Sequence, residues 1–113
     1  MGECIFCDIV AGEAKAEILY QDDGVTAFRD IHPAAPVHAL LIPNRHIPSP
    51  SQVEPGDESL LGKLFVVARR LAEEAGVSQG YRLVVNSGPS GGQSVFHLHL
   101  HLLGGRRFTW PPG

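Results

Sequence analysis

Histidine and leucine alternate through His97-Leu98-His99-Leu100-His101-Leu102-Leu103. In an extended strand that period of two places the imidazoles on one face and Leu98, Leu100 and Leu102 on the other. The fold therefore needs a sheet with one face packed on apolar side chains and the other given to polar work. At ~3.3 Å rise per residue, successive imidazoles on one strand stand about 7 Å apart. A solvated strand face draws on Thr, Lys, Glu and Ser as well, and nothing in β-propensity selects histidine three times in register. The row predicts a nucleophile, a proton carrier or a set of metal ligands.

Around this strand the sequence predicts an α+β domain. Residues 17–21 and 25–29 read as strands joined at Asp22-Asp23-Gly24, where Asp-Gly signals a hairpin. Val37 to Ile42 is a third strand between Pro36 and Pro43. From Asp57 to Ala75, Leu60, Leu61, Leu64, Phe65, Val67, Ala68, Leu71 and Ala72 recur at helical spacing, with Gly76 as a stop. Tyr81 to Asn86 and Phe96 to Leu103 complete five strands, and a short turn or helix carries Ile5 to Val10. The order implies an antiparallel sheet with one main helix packed on a face.

A chain of 113 residues, 43% apolar, fits one domain spanning residues 1–113 with a core that needs no disulfide staple. Nine Lys plus Arg against twelve Asp plus Glu give a net charge of −3 without a basic block, so no broad field for nucleic acid is expected. No apolar run approaches the ~20 residues that span a bilayer. Nor does Met1-Gly2-Glu3-Cys4 have the form of a secretory signal, so the expected location is cytoplasmic. In that reducing setting the C-x2-C of Cys4 and Cys7 favours metal or redox chemistry over a structural disulfide.

The Gly-rich stretch Ser87 to Ser94 ends just before the histidine strand. Gly91 and Gly92 would let backbone N–H groups approach an anion, and Ser94 adds a hydroxyl. With a phosphorus centre between loop and strand, a neutral Nε2 of His99 can attack while donors stabilise the oxygens. His99 Nδ1–H then needs an acceptor, for which a backbone carbonyl is the natural choice, and His101 can donate to phosphate oxygens. Cys4, Cys7, His46 and one strand histidine would make a Cys2His2 set of the kind structural Zn²⁺ requires. A pair of thiols in the first turn that packs or oxidises without metal is the other reading of the same spacing.

The strand matches the H-φ-H-φ-H-φ-φ signature of the histidine-triad superfamily at every position. The likeness continues through Asp30-Ile31, Pro36-Val37-His38, Ile42-Pro43, His46-Ile47, Val84-Val85-Asn86 and Gly91-Gly92-Gln93-Ser94. With Leu103-Gly104-Gly105-Arg106 and Trp110-Pro111-Pro112-Gly113 at the end, the chain most resembles the Hint-like branch. This resemblance implies a homodimer with a joined ten-stranded sheet and a purine nucleotide site in each subunit. Phe28 and Ile31 would line the base pocket, and Asp30 would accept the ribose hydroxyls. Asn86, Gly92, Gln93 and Ser94 would meet the phosphate, Ser94 also lying near the leaving group. His99 matches the nucleophile, its Nδ1–H held by the His97 carbonyl. His101 matches the phosphate-contacting histidine, and His38 a supporting histidine behind the triad. By the same resemblance, Trp110 would lie in a tail that reaches toward the partner's site and helps set leaving-group specificity. Cys4, Cys7, His46 and His97 match the zinc set of some members, a metal that braces the fold while catalysis needs no cofactor. Arg29 stands where close relatives often carry His.

The leading expectation is hydrolysis of purine nucleoside phosphoramidates to AMP or GMP and an amine, through a nucleotidyl-histidine. Alternatives are cleavage of dinucleoside polyphosphates, a zinc hydrolase with its metal on the strand histidines, and a nucleotide- or zinc-binding scaffold.

Overall fold

A computed structural model describes residues 4–113. Five strands form one antiparallel sheet in the order β1-β2-β3-β5-β4: β1 (Ile18–Gln21), β2 (Val25–Arg29), β3 (Val37–Pro43), β4 (Tyr81–Val85) and β5 (Leu100–Gly104). Since β3 and β4 both run antiparallel to β5, they are parallel to each other. Such a pair cannot be closed by a hairpin, and the connection is made by a helix, α2 (Glu58–Glu74).

The middle of the sheet is buried on both faces, which explains why Ala39 to Ile42 reads as an unbroken apolar run. Ala39 and Leu41 of β3 join Val25, Ala27, Leu98, Leu100 and Leu102 beneath Leu64, Val67, Ala68, Leu71 and Ala72 of α2. On the other face Leu40 and Ile42 join Phe28 against Phe6 and Ile9 of a short helix, α1 (Ile5–Ala11). Register then aligns the second face across the sheet. Phe28 pairs with Leu40, and Leu40 with His101, so an apolar wall and an imidazole fall in one row.

The hairpin at Asp22-Asp23-Gly24 is built by a carboxylate: Asp22 Oδ1 accepts the N–H groups of Gly24 and Val25, both at 2.8 Å. At the end of α2 the N–H of Gly76 donates to Glu73 O and that of Val77 to Ala72 O, with Gly76 at φ 76°. This Schellman closure needs the left-handed residue that glycine supplies.

The final strand differs from expectation. β5 starts at Leu100 instead of Phe96, because the chain bends at residues 95–97 and the Leu98 N–H donates to Ile47 O at 2.7 Å. Leu98, Leu100 and Leu102 still share the α2 face. The three histidines therefore keep to one side but do not form an evenly spaced row.

Buried Gly104, in β5, is where the end of α2 settles on the sheet. A Cβ there would lie 2.8 Å from Val77 Cγ2 and 2.9 Å from Val77 Cβ. Gly104→Ala is expected to cost about 1–3 kcal/mol through overpacking, measured as a lower urea midpoint. Val77→Ala in the same chain should restore much of the loss. An unchanged midpoint in Gly104→Ala would show that the contact is not tight.

Candidate active site and metal centre

His97 is fully buried, and its ring is oriented by the backbone. Its Nε2 lies 2.8 Å from Pro43 O, which assigns the proton to Nε2 and leaves Nδ1 as an acceptor. That Nδ1 sits 3.4 Å from Cys4 Sγ, 3.5 Å from Cys7 Sγ and 3.2 Å from His46 Nδ1. Cys7 Sγ is also 3.4 Å from His46 Nδ1, and the four donor atoms all lie within 4.8 Å of one another. Zn–S bonds of about 2.3 Å and Zn–N bonds of about 2.0–2.1 Å require donor separations of roughly 3.3–3.8 Å in a tetrahedron. The observed spacings fit. The carbonyl that holds the far nitrogen of His97 is the usual partner of a ligating imidazole. Burial lowers the His97 pKa, and burial with the adjacent Cys4 sulfur pushes the Cys7 thiol up to about 11. A divalent ion must displace the thiol protons, so its affinity rises with pH.

From His97 onward the three strand histidines part company. His99 Nδ1 donates to His97 O at 2.8 Å, which leaves Nε2 as the unprotonated nitrogen. His101 Nδ1 meets His38 Nε2 at 3.0 Å, while the Ala34 N–H donates to His38 Nδ1 at 2.9 Å. The order of protons follows: His38 carries its hydrogen on Nε2 and donates to His101 Nδ1, so His101 presents Nε2–H. Asp30 Oδ2 lies 3.3 Å from His38 Nε2, and Asp30 Oδ1 accepts the His32 N–H. Each strand histidine thus serves a different partner. The zinc-hydrolase expectation places a catalytic metal on these three histidines or a subset of them; one shared by all three does not fit this arrangement.

His99 and His101 line a cavity of about 480 Å³ with Phe28, Asp30, Ile31 and Ser94. These sequence-selected residues come together although 66 positions separate Phe28 from Ser94 and 73 separate it from His101. Its remaining apolar wall includes Ile5, Phe6 and Ile9 of α1, which the sequence does not mark as site residues. Their helical spacing beside C-x2-C was the available signal. Lys15, Arg29 and His32 stand at the same cavity, Arg29 paired with Glu17 at 3.1 Å.

The Gly-rich loop departs from its expected role. The N–H groups of Gly91 and Gly92 donate to Gly88 O and Pro89 O, closing a 3₁₀ turn (Pro89–Gly91), so both are already engaged within the loop. Gln93 is buried: its Nε2 donates to Pro48 O and Val95 O, its Oε1 accepts the Gly88 N–H, and its own N–H donates to Gly88 O. Its amide builds the loop and has no donor left for a phosphate. Asn86 Nδ2 reaches Gly92 O at 3.5 Å, and Gly92 at φ 96° provides the turn. Among the described residues, the N–H and hydroxyl of Ser94 are without a partner and are the loop's free donors beside His99.

The C-terminal tail is not frayed. The guanidinium groups of Arg82 and Arg106 both lie over the Phe108 ring, and Arg82 donates to Thr109 O at 2.8 Å. Trp110 stands 81% exposed and does not line its own chain's cavity.

The HIT domain pattern matches residues 11–108. The chain is 50% identical over 111 residues to an uncharacterized HIT-like protein of Synechocystis sp., covering 98% of this chain and 97% of that one. Its fold is similar to that of a HIT family hydrolase from Legionella pneumophila, with a TM-score of 0.96 and 49% identity, covering 98% of this chain and 100% of the other. A Zn-bound histidine triad family protein from Mycobacterium smegmatis matches at a TM-score of 0.80 and 30% identity, over 98% of this chain and 80% of that one. The chain belongs to the HIT domain family. No helix among the described residues is long and apolar enough to cross a membrane.

Burial, with His99 and His38 close by, pushes His101 down to about 4 against the raising effect of Asp30, and burial also lowers His38. An unfolded histidine takes up its proton near 6.5. Between these values the unfolded chain binds protons that the folded one does not. Stability should therefore be fully present above pH 6.5, fall as pH drops through the window, and level off for His101 below about 4. In His101→Gln, urea unfolding at a series of pH values should show a slope shallower by up to one proton. An identical slope would contradict a neutral, buried His101.

Proposed function

We propose that this protein hydrolyses purine nucleoside phosphoramidates, releasing the nucleoside monophosphate and an amine. The observation that carries the reading is His99, its Nδ1–H held by the His97 carbonyl at 2.8 Å while the ring lines the cavity that also holds Phe28, Ile31 and Asp30. The apolar wall suits a base, Asp30 suits the ribose hydroxyls, and Ser94 with His101 suits the phosphate. Asn86, Gly92 and Gln93 contribute by shaping the turn that presents Ser94.

In the reaction, His99 Nε2 forms a bond to phosphorus as the P–N bond breaks. Positive charge that builds on the imidazole is met by the His97 carbonyl at Nδ1–H. His101 Nε2–H donates to a non-bridging oxygen, with its tautomer fixed by His38. The departing amine takes a proton through the Ser94 hydroxyl, which is replenished from water. Water then attacks the phosphorus, the Nε2–P bond breaks, and the monophosphate leaves with His99 restored. No step passes through a metal.

Cys4, Cys7, His46 and His97 would hold a structural Zn²⁺, which supplies a cross-link between α1, the segment after β3 and the start of the histidine run. A Hint-like homodimer accounts for the exposed Trp110 and for the open edge of β4. Pairing two such edges would join the sheets and bring each tail toward the partner's site. The tail's likeness to that branch favours phosphoramidates over dinucleoside polyphosphates.

Turnover of an adenosine phosphoramidate should fall at least about 10³-fold in His99→Gly. Quenching the wild-type reaction should place a nucleotide adduct on the peptide spanning residues 97–101. Rates on the phosphoramidate should far exceed those on a diadenosine polyphosphate. Full activity in His99→Gly would defeat the covalent route. AMP binding with no turnover would leave a binding protein instead. Separately, purified protein should take up one zinc per chain, and Cys4→Ser should lose it.

A further inference from the structure

Helix α1 has only seven residues, whereas isolated helices shorter than ~12–15 residues are marginal in water. Its order therefore depends on what grips it. One grip is apolar: Phe6 and Ile9 pack on Phe28, Leu40 and Ile42. The other is the ligand set, since Cys4 caps the helix and Cys7 lies in its first turn, both facing His97. Phe6 sits between the two cysteines and joins the grips. Its ring stands edge-on at 5.3 Å from Phe28, 6.0 Å from His97 and 5.2 Å from His99, the last at 89°. The same short helix supplies Ile5, Phe6 and Ile9 to the cavity. One face of α1 is thus set by the metal donors and the other forms the wall against which a base would lie.

We propose that occupancy of the Cys4-Cys7-His46-His97 set by a divalent ion and purine nucleotide binding in the adjoining cavity are positively coupled through Phe6. This rests on the nucleotide reading of the cavity given above. Each ligand requires α1 to be ordered, so whichever binds first removes that entropic cost for the second. Linkage makes the effect reciprocal: the factor by which zinc tightens the nucleotide equals the factor by which the nucleotide tightens zinc. Phe6 acts as a positioning residue, holding the wall and the edge of the His99 ring in the geometry set by the cysteines.

The test uses the full chain, zinc and AMP. Calorimetry compares AMP binding to zinc-loaded protein and to chelator-stripped protein whose fold is verified by circular dichroism. AMP should bind the stripped form about tenfold more weakly, and saturating AMP should raise zinc affinity, read by competition with a chromophoric chelator, by a matching factor. In Phe6→Leu, zinc should still bind while the ratio of the two AMP dissociation constants falls toward one. Equal AMP affinity in loaded and stripped folded protein overturns the coupling and leaves the nucleotide reading intact. Failure of AMP to bind either form removes the nucleotide reading, and the coupling with it. If stripping unfolds the chain, the comparison moves to His46→Ala, which loses one exposed donor lying outside α1 and outside the cavity lining. An AMP affinity equal to that of the loaded parent overturns the proposal there, and a weaker one supports it.

Discussion

Three bonds meet at His97, and the geometry of the site follows from them. Its ring nitrogens are divided between Pro43 O and the cysteine-histidine cluster, while its carbonyl takes the Nδ1–H of His99. A residue with both ends fixed in this way cannot rotate without disturbing either neighbour. The bend at residues 95–97 is what makes the arrangement possible. A regular strand would carry the His97 ring parallel to that of His99 and away from Cys4 and Cys7. Because the chain turns before entering β5, one imidazole faces the ligand cluster and the next faces the cavity.

Much of this architecture is legible in the sequence because the sheet has two buried faces with different contents. The alternation of Leu98, Leu100 and Leu102 with the histidines survives the bend, since burial beneath α2 rewards the leucines whether or not the backbone pairs as a strand. Hairpin chemistry at Asp22 and the helical period from Leu60 to Ala72 are local signals, and local signals are readable. The turn inside Gly88 to Gln93 is not. Glycines there suggested open N–H groups, yet short-range carbonyls consume them, and the deciding partner of Gln93, Pro48 O, lies 45 residues away. Likewise the wall from α1 depends on where a seven-residue helix docks, which its own sequence does not state.

The tautomers add a constraint on how the site can treat charge. A cation on His101, whose ring centroid is 4.9 Å from that of His99, would oppose the positive charge that develops on His99 as its Nε2 bonds to phosphorus. Burial removes that conflict by keeping His101 neutral at physiological pH. Its N–H still points outward, because the Ala34 N–H, through His38, dictates which nitrogen bears it. Asp30 pulls in the other direction, and the balance is won by desolvation, the first cause of the lowered pKa at both His38 and His101.

The same logic separates the two histidine clusters of this chain. Around His97, sulfur and nitrogen lone pairs converge, an arrangement that repels itself unless a cation or protons lie between them. Around His101 each lone pair already faces an N–H, and Asp30 adds a carboxylate at 3.3 Å. A divalent ion placed there would have to break the bond between His38 and His101 and turn His101 Nε2 away from its donor role. One cluster is therefore shaped for an ion and the other for a chain of protons, though each draws a histidine, His97 or His101, from the same seven-residue run.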